Sequence, residues 1–183
     1  MNSAIQSMSK WFITFWLVLF FMSYAIVQAA SLHPDVQRML AQDRMPSGVV
    51  IEVESLSKGA MTDNATFIQA QVDALKQRFP DLDVVIVSHG RELIELAKPK
   101  DNQPASTILS TFENMSNRQG VTVHVCAVVA GWEGKTDQDF AGFVDVSASG
   151  EAQINDYRAL GYEVVIIERL SDEARKSLQP VAE

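Results

Sequence analysis

The sequence predicts an α/β domain built on a parallel sheet, and three observations carry that expectation. Short runs rich in β-branched and other apolar residues recur at 49–53, 83–88, 121–126, 143–147 and 162–168. Segments with apolar residues at helical spacing separate them, and this alternation is what a parallel sheet requires. The 83–88 run, Asp-Val-Val-Ile-Val-Ser, is nearly continuous in Val and Ile, as a strand covered on both faces should be. Five strands with short connections fit one three-layer domain, and 183 residues suffice for one sizeable core.

Each element has its own signal. Residues 31–42 form an amphipathic lead-in helix, with Pro34 near its start and Val36, Met39 and Leu40 on one side. Pro46-Ser47-Gly48 breaks the chain before the first strand, 49–53. Glu52 interrupts that strand, which predicts one partly exposed face or a place toward a sheet edge. A polar loop, 55–64, follows. Asp63 or Asn64 then caps a helix to about Phe79 that places Phe67, Ile68, Val72, Leu75 and Phe79 on its apolar side. Pro80-Asp81 stops it.

After the second strand, His89-Gly90 turns the chain into a short helix over 91–98. A break at 99–104 precedes a helix over 105–119, with Ile108, Leu109, Phe112 and Met115 as its apolar side. Gly120 leads into the third strand. Residues 131–142 read as a polar, flexible loop, in which Asp137 and Asp139 are solvated. Trp132 there is a candidate lid or interface residue, or simple packing. Ser149-Gly150 opens the last major helix, Gly161 ends it as a C-cap, and 162–168 is the last strand. A charged tail, 171–183, follows.

The first 29 residues are read apart from the fold. Residues 11–27 are apolar and uncharged after Lys10, and Val27-Gln28-Ala29 supplies small residues where signal peptidase cuts. Residues 1–29 are therefore a signal peptide or a retained membrane anchor, and on either reading the rest is exported to the periplasm or beyond. In the anchored case, 11–27 is the membrane contact. Residues 30–47 are a lead-in helix and linker, and 48–170 are the domain proper.

Without Lys10 the remainder carries 14 basic and 23 acidic residues, a net charge of −9. That balance argues against nucleic acid and against charge-driven binding to an anionic bilayer. The chain has no Ser/His/Asp elbow, no P-loop, no dinucleotide fingerprint and no zinc or calcium spacing.

Candidate chemistry centres on the one cysteine, Cys126. A lone cysteine in an exported protein makes no internal disulfide, so it is inert and buried, a partner in an intermolecular bond, or reactive. Cys126 ends the third strand, where α/β proteins gather their ligand-binding loops. His124 lies two residues earlier on the same strand face. His89 leaves the neighbouring strand at the same edge. Both are candidates to tune the thiol, and both have structural readings, as a strand histidine and a turn residue.

Three stretches resemble the DsrE/DsrF-like (DsrEFH) sulfur-relay family. Asp83-Val-Val-Ile-Val-Ser-His-Gly-Arg-Glu-Leu-Ile-Glu-Leu is similar to its strand, His-Gly turn and short helix. Gly120-Val-Thr-Val-His-Val-Cys is similar to its cysteine-bearing strand. Asp139 through Ile154, closing with Leu160-Gly-Tyr, is similar to its loop, strand and C-terminal helix. The resemblance spans about 49–168. It implies a flavodoxin-like α/β/α domain with a five-stranded parallel sheet, assembled as a trimer or hexamer. It also implies that Cys126 carries sulfur as a persulfide, taken from a small donor or a partner protein, without a cofactor or metal. Relay members are mostly cytoplasmic, and the 131–135 loop departs from the family's apolar connection. The other reading is a non-catalytic binding or assembly module with an inert Cys126.

Overall fold

A computed structural model of the protein describes residues 32–99 and 104–179. The elements run α1 (Pro34–Leu40), β1 (Val49–Val53), α2 (Ala60–Arg78), β2 (Val84–Ser88), a 3-10 helix (Arg91–Leu96), α3 (Thr107–Gln119), β3 (Thr122–Cys126), α4 (Ala127–Trp132), β4 (Val144–Ser147), α5 (Gly150–Ala159), β5 (Glu163–Glu168) and α6 (Asp172–Arg175). Two further single 3-10 turns lie at Asp137–Asp139 and Lys176–Leu178. The apolar run at 11–27 lies outside the described residues. Among the described residues, no helix is long and apolar enough to cross a membrane.

All five strands pair in parallel, in the order β4-β3-β2-β1-β5. The fold class expected from the sequence is therefore the one found. Side chains alternate across the sheet. Val49, Ile51 and Val53 of β1 join Val84 and Ile86 of β2, Val123 and Val125 of β3 and Val165 of β5 in the larger core. That face is covered by Val36 and Met39 of α1, Ile68, Val72 and Leu75 of α2, and Ile108, Phe112 and Met115 of α3. The opposite face has a smaller core, Val50, Val85 and Val87 under Ile154 of α5.

The order follows from handedness. Right-handed crossovers carry the chain stepwise from β1 to β4 with their helices on one face. Reaching β5 on the far side of β1 reverses the direction, so α5 covers the other face. The reversal falls between β1 and β5, and a crevice forms there at the carboxyl edge of the sheet.

Three local expectations change. β1 is an interior strand, buried throughout, and Glu52 is 1% exposed. An ion-pair network satisfies the carboxylate, so it needs no solvent. The helix expected from Asp63 or Asn64 begins at Ala60, after Gly59. Residues 131–142 are not a plain flexible loop: α4 extends into them, and a capping box between Thr136 and Asp139 fixes the turn that follows.

The β2 exit depends on Glu92, which is fully buried. Its carboxylate accepts from the Ser55 N–H at 2.9 Å, the Gly90 N–H at 3.0 Å and the Ser88 hydroxyl at 2.8 Å. Burial pushes its carboxyl above the ordinary value, and these neutral donors only partly oppose the rise. The staple brings the β1 and β2 exits so close that a Cβ on Gly90 would lie 2.3 Å from both the N and O of Ser55.

Gly90→Ala is therefore expected to cost about 2–3 kcal/mol of stability in urea unfolding. Gly131, in α4 with nothing within 4 Å of an added Cβ, is the control. Gly131→Ala should gain roughly 0.5–1 kcal/mol. Equal effects at the two positions would refute the close approach at Gly90.

Candidate functional site

The carboxyl edge of the sheet is built by alternation. On β1, Glu52 follows Val50 on the face toward α5, and Glu54, just past the strand end, continues that side. His89 leaves β2 at the same level. Glu52 and Glu54 are each 1% exposed and His89 is 6% exposed. Charges so placed are costly unless paired and hydrogen-bonded.

The pairing is extensive. His89 Nε2 lies 3.1 Å from Glu52 Oε1, and its Nδ1 lies 3.6 Å from Glu54 Oε1. Arg169, just beyond β5, forks onto Glu52: its Nε donates to Oε1 at 2.6 Å and a terminal nitrogen donates to Oε2. Arg175 of α6 forks onto Glu54, donating at 2.6 Å and 2.7 Å. The Leu170 N–H adds a 3.2 Å bond to Glu54. Burial pushes the Glu52 carboxyl up, but the hydrogen bonds and charges of His89 and Arg169 outweigh it and hold the group below its ordinary value. Hydrogen bonding to Glu54 raises the Arg175 guanidinium further above its already high value.

Beside this network lies a cavity of about 480 Å³, lined among others by Glu52, His89, Ile154, Arg158, Arg169 and Arg175. It occupies the crevice predicted by the reversal of strand order. Among the described residues, Glu52, Glu54 and His89 also present metal-ligating atoms within 4.8 Å of one another. The arginine forks occupy the carboxylate oxygens that a cation would need.

Cys126 ends β3, where it pairs with Ser147 of β4, and is 5% exposed. It meets His89 across Gly150 at the start of α5. A Cβ on Gly150 would lie 2.3 Å from the His89 Cβ and 3.5 Å from the Cys126 Cβ. One glycine thus lets α5 close over both side chains. The imidazole itself is turned to the glutamates, with each ring nitrogen facing a carboxylate.

His124 occupies a different position. Its Nε2 is 3.0 Å from the Tyr157 hydroxyl and its Nδ1 is 3.0 Å from the Ser147 hydroxyl. Burial pushes this imidazole below its ordinary value, with the Asp145 charge pulling the other way. The hydroxyl, imidazole and phenol together tie β3 and β4 to α5. Trp132 is 37% exposed on α4. Asp139 accepts from the Thr136 N–H at 2.7 Å and from its hydroxyl at 2.9 Å, which makes it a turn residue.

Of the three residues singled out in the sequence, the structure brings His89 and Cys126 together and binds His124 elsewhere. Sequence reasoning missed Glu54, Arg169 and Arg175, and took Glu52 as a mark of exposure. The available signal was two glutamates at strand spacing in Val-Ile-Glu-Val-Glu, followed far along the chain by arginines just after the last strand.

Among solved structures, the chain is similar to MTH1491 from Methanobacterium thermoautotrophicum, a protein of unknown function. That likeness has 17% sequence identity and a TM-score of 0.52, and covers 64% of this chain and 96% of that one. It is also similar to the ychN protein from E. coli, with 13% identity and a TM-score of 0.52, over 66% of this chain and 99% of that one. No family model matches the sequence, and no curated protein matches it. At these identities the likeness is one of fold: the chain shares a five-stranded parallel α/β domain with these proteins.

Proposed function

We propose that the domain binds reduced sulfur and relays it as a persulfide on Cys126. The observation that carries this reading is the place of the thiol: it ends a parallel strand at the ligand-binding edge, against His89 and Gly150. The resemblance of the three stretches to the DsrE/DsrF-like family supports it. In the step, the Cys126 thiolate attacks the terminal sulfur of a donor persulfide, R–S–S⁻. A new Sγ–S bond forms, the donor S–S bond breaks, and R–S⁻ leaves. With thiosulfate as donor, sulfite leaves instead. An acceptor thiolate then takes the outer sulfur and regenerates the Cys126 thiolate, so no net oxidant is needed. His89 is a positioning residue here, and the network it joins sets the charge around the site.

One observation favours a second reading. Cys126 is nearly buried and belongs to the larger core with Val125, Val129 and Ala130. As a small hydrophobe it would serve a non-catalytic binding or assembly module. We also propose export through residues 1–29, on the apolar run at 11–27, and assembly as a trimer or hexamer, on the resemblance noted above.

Intact-mass measurement after incubation with a persulfide or thiosulfate donor separates the two readings. The relay reading expects a one-sulfur adduct on the native chain and none on Cys126→Ser. No adduct, together with no alkylation of the native thiol by a small reagent, would establish the inert reading. Native mass measurement checks assembly separately: three or six copies are expected, and a monomer overturns that part.

A further inference from the structure

We propose that Glu52, Glu54 and His89 form a latent site for a divalent transition-metal ion, and that Arg169 and Arg175 mask it. Metal and arginine pair are alternative occupants of the same buried charge. This inference is independent of Cys126.

The starting point is that two carboxylates, each 1% exposed, lie beside one imidazole. Such a pair stays ionised only where positive charge is present. In this structure that charge comes from one segment, the stretch just after β5, in two guanidinium forks. The arginines are the accessible side of the arrangement, with side chains 35% and 33% exposed over carboxylates at 1%. Arg175 also has a second carboxylate, on fully exposed Asp172 at 3.3 Å, available when it leaves Glu54.

The atoms left behind suit a cation. Ligand atoms of all three residues lie within 4.8 Å of one another. Closing the widest of these gaps to the ~3.3 Å separation of ligands around a tetrahedral zinc ion takes side-chain shifts of about 1.5 Å in total. One imidazole nitrogen and two carboxylates select zinc, manganese or ferrous ions over calcium, which takes six or more oxygens. The cavity of about 480 Å³ adjoins Glu52 and His89 and offers the open side for a further ligand. The exchange conserves charge approximately, because one divalent cation replaces two guanidinium groups.

The test uses the full chain, zinc or manganese ions alone, and the variant R169Q/R175Q. Calorimetric titration should show one equivalent bound per chain, at least tenfold tighter in the variant than in the wild type. Adding H89A to the variant should return the affinity to the wild-type level. A folded variant without stoichiometric binding, or binding indifferent to H89A, overturns the proposal. If the variant does not fold alone, refolding with zinc supports the site. If zinc does not rescue it, trypsin cleavage of the wild type after Arg169 and Arg175 decides. Zinc should speed that cleavage several-fold over chelator, normalised to a control peptide, and H89A should abolish the effect. Cleavage independent of zinc means that the arginines are permanent counter-ions.

Discussion

Two ionised glutamates buried at the exit of an interior strand must have their charge matched, and much of the carboxyl edge is arranged around that requirement. Solvated glutamates would belong on a sheet edge, but β1 lies between β2 and β5. The match comes from His89 at the β2 exit and from arginines in the segment after β5. The network therefore ties together three points far apart in the chain. It also gives the stretch after the last strand a reason to return over the sheet, where Leu178 joins the core. Packing alone would leave that short charged stretch weakly held.

The same edge is shaped by two close approaches. Gly90 lets the β1 and β2 exits meet under the Glu92 staple, and Gly150 lets α5 rest on His89 and Cys126. Both glycines serve by lacking a Cβ. The outcome is an edge where a thiol, an imidazole, two carboxylates and two guanidinium groups lie close together, beside a cavity at the reversal of strand order. Chemistry at Cys126 and occupancy of the glutamate cluster are separate questions that share this scaffold.

The fold was legible in the sequence because its signals are local. Val-Val-Ile-Val reads as a doubly covered strand, and the Phe67-to-Phe79 spacing reads as a helix whatever the rest of the chain does. The place of Cys126 at a strand exit and the nearness of His89 follow from those elements. The ion network was not legible because its arginines lie more than a hundred residues along the chain from their glutamates. Glu52 alone signals exposure; only the return of Arg169 makes it a buried group. His124 shows the same limit from the other side. Strand alternation places it on the Cys126 face, but Tyr157 and Ser147 claim both of its nitrogens.

Proton exchange at the arginine side chains tests the central claim, the buried carboxylate network, most directly. In nitrogen-15 NMR spectra of the native chain, the account predicts Nε–H signals of Arg169 and Arg175 that exchange slowly with water. Their protection should fall in Glu52→Gln and Glu54→Gln respectively. Nε–H exchange as fast as that of Arg118, which is exposed on α3, would contradict it.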